Sequence, residues 1–208
     1  MSGVEAFAHR FEPGTGGATL LLLHGTGGDE HQLIDLGRQL APDAALLSPR
    51  GQVLEDGVAA RFFARRSAGD LDLDDLRRRG EGLATWVGDA CAQYGRDPAR
   101  VIALGYSNGA NIAVELLFRH PRVLRGAALL RPMLIYRPDE PVTLSETDVL
   151  IAAGDADPYS PPQQVEELAE VLAAGGAEVE LVRQATGHGL VQGDLDALAT
   201  WVAPLVAG

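Results

Sequence analysis

The chain has 208 residues, 46% of them apolar, enough for one folded domain (1–208) with a buried core built mainly of Leu, Val and Ala. A net charge of −12 disfavours nucleic acid and anionic lipid as partners, and no apolar run approaches the roughly 20 residues that span a bilayer. Every basic residue is arginine, which removes lysine Schiff-base, lysine-base and P-loop chemistry.

The lone cysteine, Cys91, forms no internal disulfide, and the start Met1 to Ala6 lacks the basic and apolar stretches of a secretory leader. A cytoplasmic location is therefore expected.

In chain order, Phe7 to Glu12 reads as an edge strand ended by a Pro-Gly-rich turn. Ala18 to Leu23 is continuously apolar and too short for a core helix, so it reads as a buried parallel strand. It runs into His24-Gly25-Thr26-Gly27-Gly28-Asp29-Glu30, and Leu33, Leu36, Gly37 and Leu40 then mark a helix face. Ala44 to Ser48 is the next strand, followed by Pro49-Arg50-Gly51 and an irregular polar stretch containing Arg61-Phe62-Phe63. Leu71 to Tyr94 reads as a long helix with an acid-rich start; Gly80 and Gly82 allow a break in it. Arg77-Arg78-Arg79 reads as a solvated face paired with nearby Asp residues.

Arg100 to Tyr106 is the central strand, with a helix after it that stops near His120-Pro121. Strands follow at Leu124 to Leu130, Asp148 to Ala153 and Glu178 to Arg183, with helices at Pro161 to Ala174 and Leu195 to Leu205. Strand and helix alternate. This predicts an α/β fold: a mostly parallel, twisted sheet with helices on both faces and sites at the carboxyl ends of strands.

Gly105-Tyr106-Ser107-Asn108-Gly109 lies between the central strand and the next helix. A serine held at a sharp strand-to-helix turn needs small residues two positions away on either side, and Gly105 and Gly109 meet that need. Ser107 is therefore the candidate nucleophile. Serine is weakly nucleophilic and needs a base, which in turn needs a carboxylate to orient it. Among the five histidines, only His188 follows a candidate acid and sits on a strand-end loop, flanked by Gly187 and Gly189. Asp155 and Asp157 both end one strand; Asp157, just before Pro158, is preferred, which leaves Asp155 as a turn carboxylate. Acyl transfer also needs two preset donors for its oxyanion. The candidates are the amide of Asn108 and that of Thr26, with His24 bracing the glycine loop. That loop fails the dinucleotide G-x-G-x-x-G test at Glu30, and no metal-ligand spacing is present.

Four segments together, His24 to Glu30, Gly105 to Gly109, Gly154-Asp155-Ala156-Asp157-Pro158 and Gly187-His188-Gly189, resemble the carboxylesterase/phospholipase (acyl-protein-thioesterase-like) branch of the α/β-hydrolases. Arg61-Phe62-Phe63 after Pro49-Arg50-Gly51 further resembles a bacterial subgroup that includes hydrolases linked to hydroquinone resistance. The resemblance implies cofactor-free hydrolysis of carboxylic esters or thioesters. Asn108 departs from the glutamine usual in the thioesterases, which puts its side-chain contacts in question.

The short link from Leu130 to Asp148 leaves no room for a cap domain, so an open pocket for small acyl or aryl esters is expected. Its candidate walls are Phe62, Phe63, Met133, Leu134, Tyr159 and Leu190. Arg61 and Arg131 are expected mainly in surface ion pairs. The expected activity is that of a serine carboxylesterase, with two alternatives: a thioesterase or lysophospholipase on the same triad, or a non-catalytic ligand-binding protein on this fold. The partners expected are a small-molecule ester and, at most, a second copy of the chain as a homodimer.

Overall fold

The computed structural model describes residues 3–67 and 70–207. Its elements are β1 (His9–Glu12), β2 (Thr19–Leu23), α1 (Ile34–Leu40), β3 (Ala45–Pro49), the short strands β4 (Val53–Glu55), β5 (Ala59–Arg61), β6 (Arg65–Ser67) and β7 (Asp70–Leu71), then α2 (Leu73–Gln93), β8 (Val101–Tyr106), α3 (Asn108–Arg119), β9 (Gly126–Leu130), β10 (Asp148–Gly154), α4 (Pro162–Ala174), β11 (Glu178–Gln184) and α5 (Gln192–Ala207). The main sheet has seven strands in the order β1-β3-β2-β8-β9-β10-β11. Among the described residues only β1 pairs antiparallel in this sheet, as an edge; the other pairs are parallel. β8 is the middle strand.

The apolar run of β2 is explained by burial on both faces. Leu21 and Leu23 pack with residues of α2, α3 and α4, while Leu20 and Leu22 pack with α1 and α5. The pleat sends alternate side chains to opposite cores, and a strand covered on both sides has no polar face to show. α3 is buried from Asn108 through Phe118, as befits the helix that follows the central strand.

Two expectations need correction. α2 runs unbroken through Gly80 and Gly82. The reason at Gly80 is close packing, since a Cβ there would come 2.6 Å from Glu115 Cγ on α3. The stretch after β3 is not irregular throughout: it carries two small antiparallel ladders, β4 with β5 and β6 with β7. These strands are two or three residues long, too short to display a period.

The strand order reverses between β2 and β8. Chain segments leave β2 towards one edge through β3, and leave β8 towards the other through β9, β10 and β11. Such a switch point opens a crevice at the carboxyl ends of the strands, where the loops carrying Thr26 and Ser107 lie side by side.

Candidate active site

Ser107 sits between β8 and α3 with φ 54° and ψ −111°. A serine held at positive φ is strained, and the surrounding structure must hold it there. Its N–H donates to Leu130 O (2.8 Å), and its carbonyl accepts from Asn111 N (3.0 Å). The flanking glycines are a packing requirement. A Cβ on Gly105 would meet Gly109 O at 2.6 Å, and one on Gly109 would overlap the Leu23 carbonyl of β2.

The acid and the histidine come from the ends of β10 and β11. Asp157 is buried, and its Oδ1 accepts from Tyr159 N (2.9 Å). His188 Nδ1 lies 2.8 Å from Asp157 Oδ2, and Nε2 lies 2.9 Å from Ser107 Oγ. A carboxylate only accepts, so the proton sits on Nδ1 and Nε2 is free to accept from the serine hydroxyl. The two loops are also joined directly, Ala156 N donating to Thr186 O (2.9 Å). The rival acid, Asp155, instead pairs with Arg183 at 2.8 Å on the surface.

Thr26 and Asn108 both line the cavity beside Ser107. Among the described residues neither backbone N–H is taken by an acceptor; as the first residue of α3, Asn108 has no intrahelical partner. The side chains are anchored elsewhere. Thr26 Oγ1 accepts from Arg61 Nη1 (2.8 Å), and Asn108 Oδ1 accepts from Phe62 N (2.7 Å). The shorter amide at 108 thus ties α3 to the segment after β5, and Asn111 Oδ1 does the same for Met133 N (2.8 Å). His24 is buried: its Nε2 accepts from Gly51 N (2.8 Å), so Nδ1–H donates to Gly25 O (2.7 Å). Burial pushes this imidazole below its ordinary pKa. It is a neutral brace that joins the loops after β2 and β3.

The cavity has a volume of about 520 Å³. Met133 and Tyr159 line it, and the Tyr159 ring meets the His188 ring edge-on with centroids 5.0 Å apart. The other four expected wall residues do not. Phe62 and Phe63 are buried in the core, Phe62 against the His24 ring at 4.6 Å. Leu134 packs on the core formed with α2, α3 and α4, and Leu190 on the opposite core with α1 and α5. Their places are taken by Arg61, Arg65 and Leu71 from the β4–β7 insertion, which forms one wall of the cavity.

Arg61 and Arg131 are not surface pairs; both are buried. Arg61 and Arg65 share the single carboxylate of Glu55, at 3.6 and 2.5 Å. This leaves the Thr26 side of the cavity with excess positive charge in an acidic protein. Sequence reasoning also passed over Tyr106, whose hydroxyl donates to His188 O (3.2 Å). Among the described residues no cluster of three or more His, Cys, Asp or Glu side chains is arranged to hold a metal ion, and no helix is long and apolar enough to cross a membrane.

A mostly parallel sheet with one antiparallel edge and a serine elbow after its central strand is the architecture of an α/β-hydrolase. Residues 82–196 match the dienelactone hydrolase family, and the chain belongs to that family. It is 44% identical over 193 residues to MhqD of Bacillus subtilis (strain 168), named as a hydrolase, covering 93% of this chain and 96% of MhqD. Among solved structures, a Bacillus cereus carboxylesterase superposes with a TM-score of 0.91 at 38% identity, over 94% of this chain and 93% of that one. A protein of unknown function from Agrobacterium tumefaciens superposes at 0.90 with 38% identity, over 99% and 100%.

Proposed function

We propose that the chain is a serine carboxylesterase that hydrolyses small acyl or aryl carboxylic esters through an acyl-enzyme on Ser107. The observation that carries this is the continuous hydrogen-bonded line from Ser107 Oγ through His188 to Asp157, opening on the cavity. Ser107 Oγ attacks the ester carbonyl while His188 Nε2 takes its proton. Asp157 stabilises the imidazolium, and the N–H groups of Thr26 and Asn108 receive the oxyanion. Collapse of the tetrahedral intermediate breaks the ester C–O bond, and His188 returns the proton to the departing alcohol. Water, deprotonated by His188, then releases the acid and restores Ser107.

The guanidinium of Arg61, bound to Thr26 Oγ1, places positive charge beside the growing oxyanion. Met133 and the face of Tyr159 offer apolar surface to a small acyl or aryl group. The carboxylesterase named among the solved relatives supports the choice of ester. A cytoplasmic setting belongs to the same proposal, since the one cysteine is a buried free thiol.

Ser107→Ala should lower turnover of p-nitrophenyl acetate by at least about 10³-fold and remove labelling by a fluorophosphonate probe. Labelling that survives the substitution overturns the proposal. Matched thioesters in the same assay test the thioesterase alternative: faster acylation by thioester than by ester would reassign the substrate.

A further inference from the structure

The residue after β9 is Arg131, with φ 56°. A non-glycine residue in the left-handed region is costly, and it persists where neighbouring structure over-determines it. Here the Arg131 N–H donates to Ala152 O (2.9 Å), continuing the pairing of β9 with β10, and the side chain turns inward under the histidine loop. Arg131 and Asp194 are both about 1% exposed.

Each of the five N–H donors of the guanidinium has a partner. Nε donates to Gly187 O (3.2 Å). Nη1 donates to Ala152 O (2.9 Å) and Asp194 Oδ1 (3.1 Å). Nη2 donates to Gly189 O (2.9 Å) and Asp194 Oδ2 (2.6 Å). Asp194, in the first turn of α5, also accepts from Val191 N (2.9 Å). The carbonyls immediately before and after His188 therefore hang on one guanidinium, and the next turn hangs on the carboxylate paired with it.

Stability alone does not account for such a pair. A buried ion pair is often no better than two apolar side chains of the same volume, while breaking one partner leaves an unpaired charge. What an apolar pair cannot supply is a rigid, planar set of donors aimed at the carbonyls of the two residues that flank the histidine.

We propose that Arg131 and Asp194 are the positioning residues of the base. They hold the turn 187–189 so that His188 Nε2 stays in line with Ser107 Oγ, and neither touches the reacting atoms. This rests on the acyl-enzyme reading above. A displacement of about 1 Å at a reacting group costs on the order of 10²-fold in rate, and that is the size of effect expected.

The test is the double variant Arg131→Met/Asp194→Leu, which leaves no charge unpaired, with Arg131→Lys as the second variant. Lysine keeps the charge opposite Asp194 but cannot reach both carbonyls from one nitrogen. Thermal melts establish folding. Ester turnover then separates kcat from KM, and hydrogen exchange of the bonded amides of Ala156 and Thr186, which tie the histidine loop to its neighbours, reads the clamp without any catalysis.

The double variant should fold, lose about 10²-fold in kcat with KM within about threefold of the parent, and exchange the Ala156 and Thr186 amides at least about tenfold faster. A folded double variant that retains more than a tenth of the parental kcat, or whose loss lies in KM, overturns the proposal. Should the double variant not fold, the same kcat criterion applies to Arg131→Lys. Unchanged exchange in a folded variant also overturns it. Ser107→Ala, run alongside, separates the two ideas: turnover surviving in Ser107→Ala sinks the acyl-enzyme, whereas turnover surviving only in the arginine variants sinks the clamp.

Discussion

Gly109 stands where the backbone of α3 passes directly over the carbonyls of Leu23 and His24, and a Cβ would overlap the first of these. The Leu23 carbonyl cannot retreat, because it ends β2 in register with Gly105 of β8, the strand that leads into the same elbow. Gly109→Ala should therefore cost about 3 kcal/mol or more in urea unfolding, and the loop bearing Thr26 should shift with it. A loss below about 1 kcal/mol would mean that the elbow is not locked. The demand for glycine here is written in Gly105-x-Ser107-x-Gly109, which is why the candidate nucleophile is legible without coordinates. Arg131 was legible only as a charged residue at a strand end. Its burial depends on the meeting of β9, β10 and α5, which no local pattern encodes.

At the scale of elements, the contact of α2 with α3 separates two glycines that look alike in the sequence. Gly82 is exposed, with open space where a Cβ would stand. Gly82→Ala should then stabilise by up to about 1 kcal/mol, the difference in helix propensity. Gly80 faces Glu115 Cγ at 2.6 Å, near the root of a buried side chain with little freedom to move, so Gly80→Ala should destabilise by about 1–2 kcal/mol despite the same gain in propensity. Urea midpoints of the two variants moving in the same direction would contradict this packing account. The main-sheet strands and the helices were readable because their runs are long and their breakers strong. The β4–β7 insertion was not, because short ladders owe their existence to what they pack on. Its aromatic pair shows this: Phe62 and Phe63 turn into the core, Phe62 against the His24 ring, while Arg61 and Arg65 turn to the cavity.

For the whole molecule, two buried titratable groups set opposite limits on stability with pH. His24 is held neutral, and burial lowers its pKa below the ordinary 6.5. Its contribution is present above the unfolded value and is lost as pH falls below it. Glu115 is fully buried on α3, with Oε2 accepting from Tyr136 Oη (2.7 Å) and Oε1 left 3.7 Å from Arg119 Nε. Burial raises its pKa above the ordinary 4.5, against the pull of the Tyr136 hydrogen bond and of Arg119 and Arg77. The raised value means that folding favours the protonated acid, so this group's contribution is full below the unfolded pKa and is lost as pH rises through the folded one. Glu115→Gln should accordingly raise Tm relative to the parent by an amount that grows from pH 4.5 to pH 8, about 3–5 °C for each unit of displacement. A Tm difference that stays constant across that range would rule out Glu115 as the source.

The sequence by itself determined the class of fold, the order of strands and helices, and the residue types able to carry acyl transfer. These are local properties: hydrophobic period, helix and strand breakers, and glycines at fixed offsets from a serine. Only the tertiary structure decided which side chains meet. It brought Ser107, Asp157 and His188 within hydrogen-bond reach across 81 residues of chain. It sent Phe62, Phe63, Leu134 and Leu190 away from the cavity they were expected to line, and it buried Arg61 and Arg131 beneath the two loops that frame the serine. The physical reason is that a side chain's partners depend on which strand ends the sheet order places side by side. That order follows from packing two cores at once, not from the residues on either side of any one position.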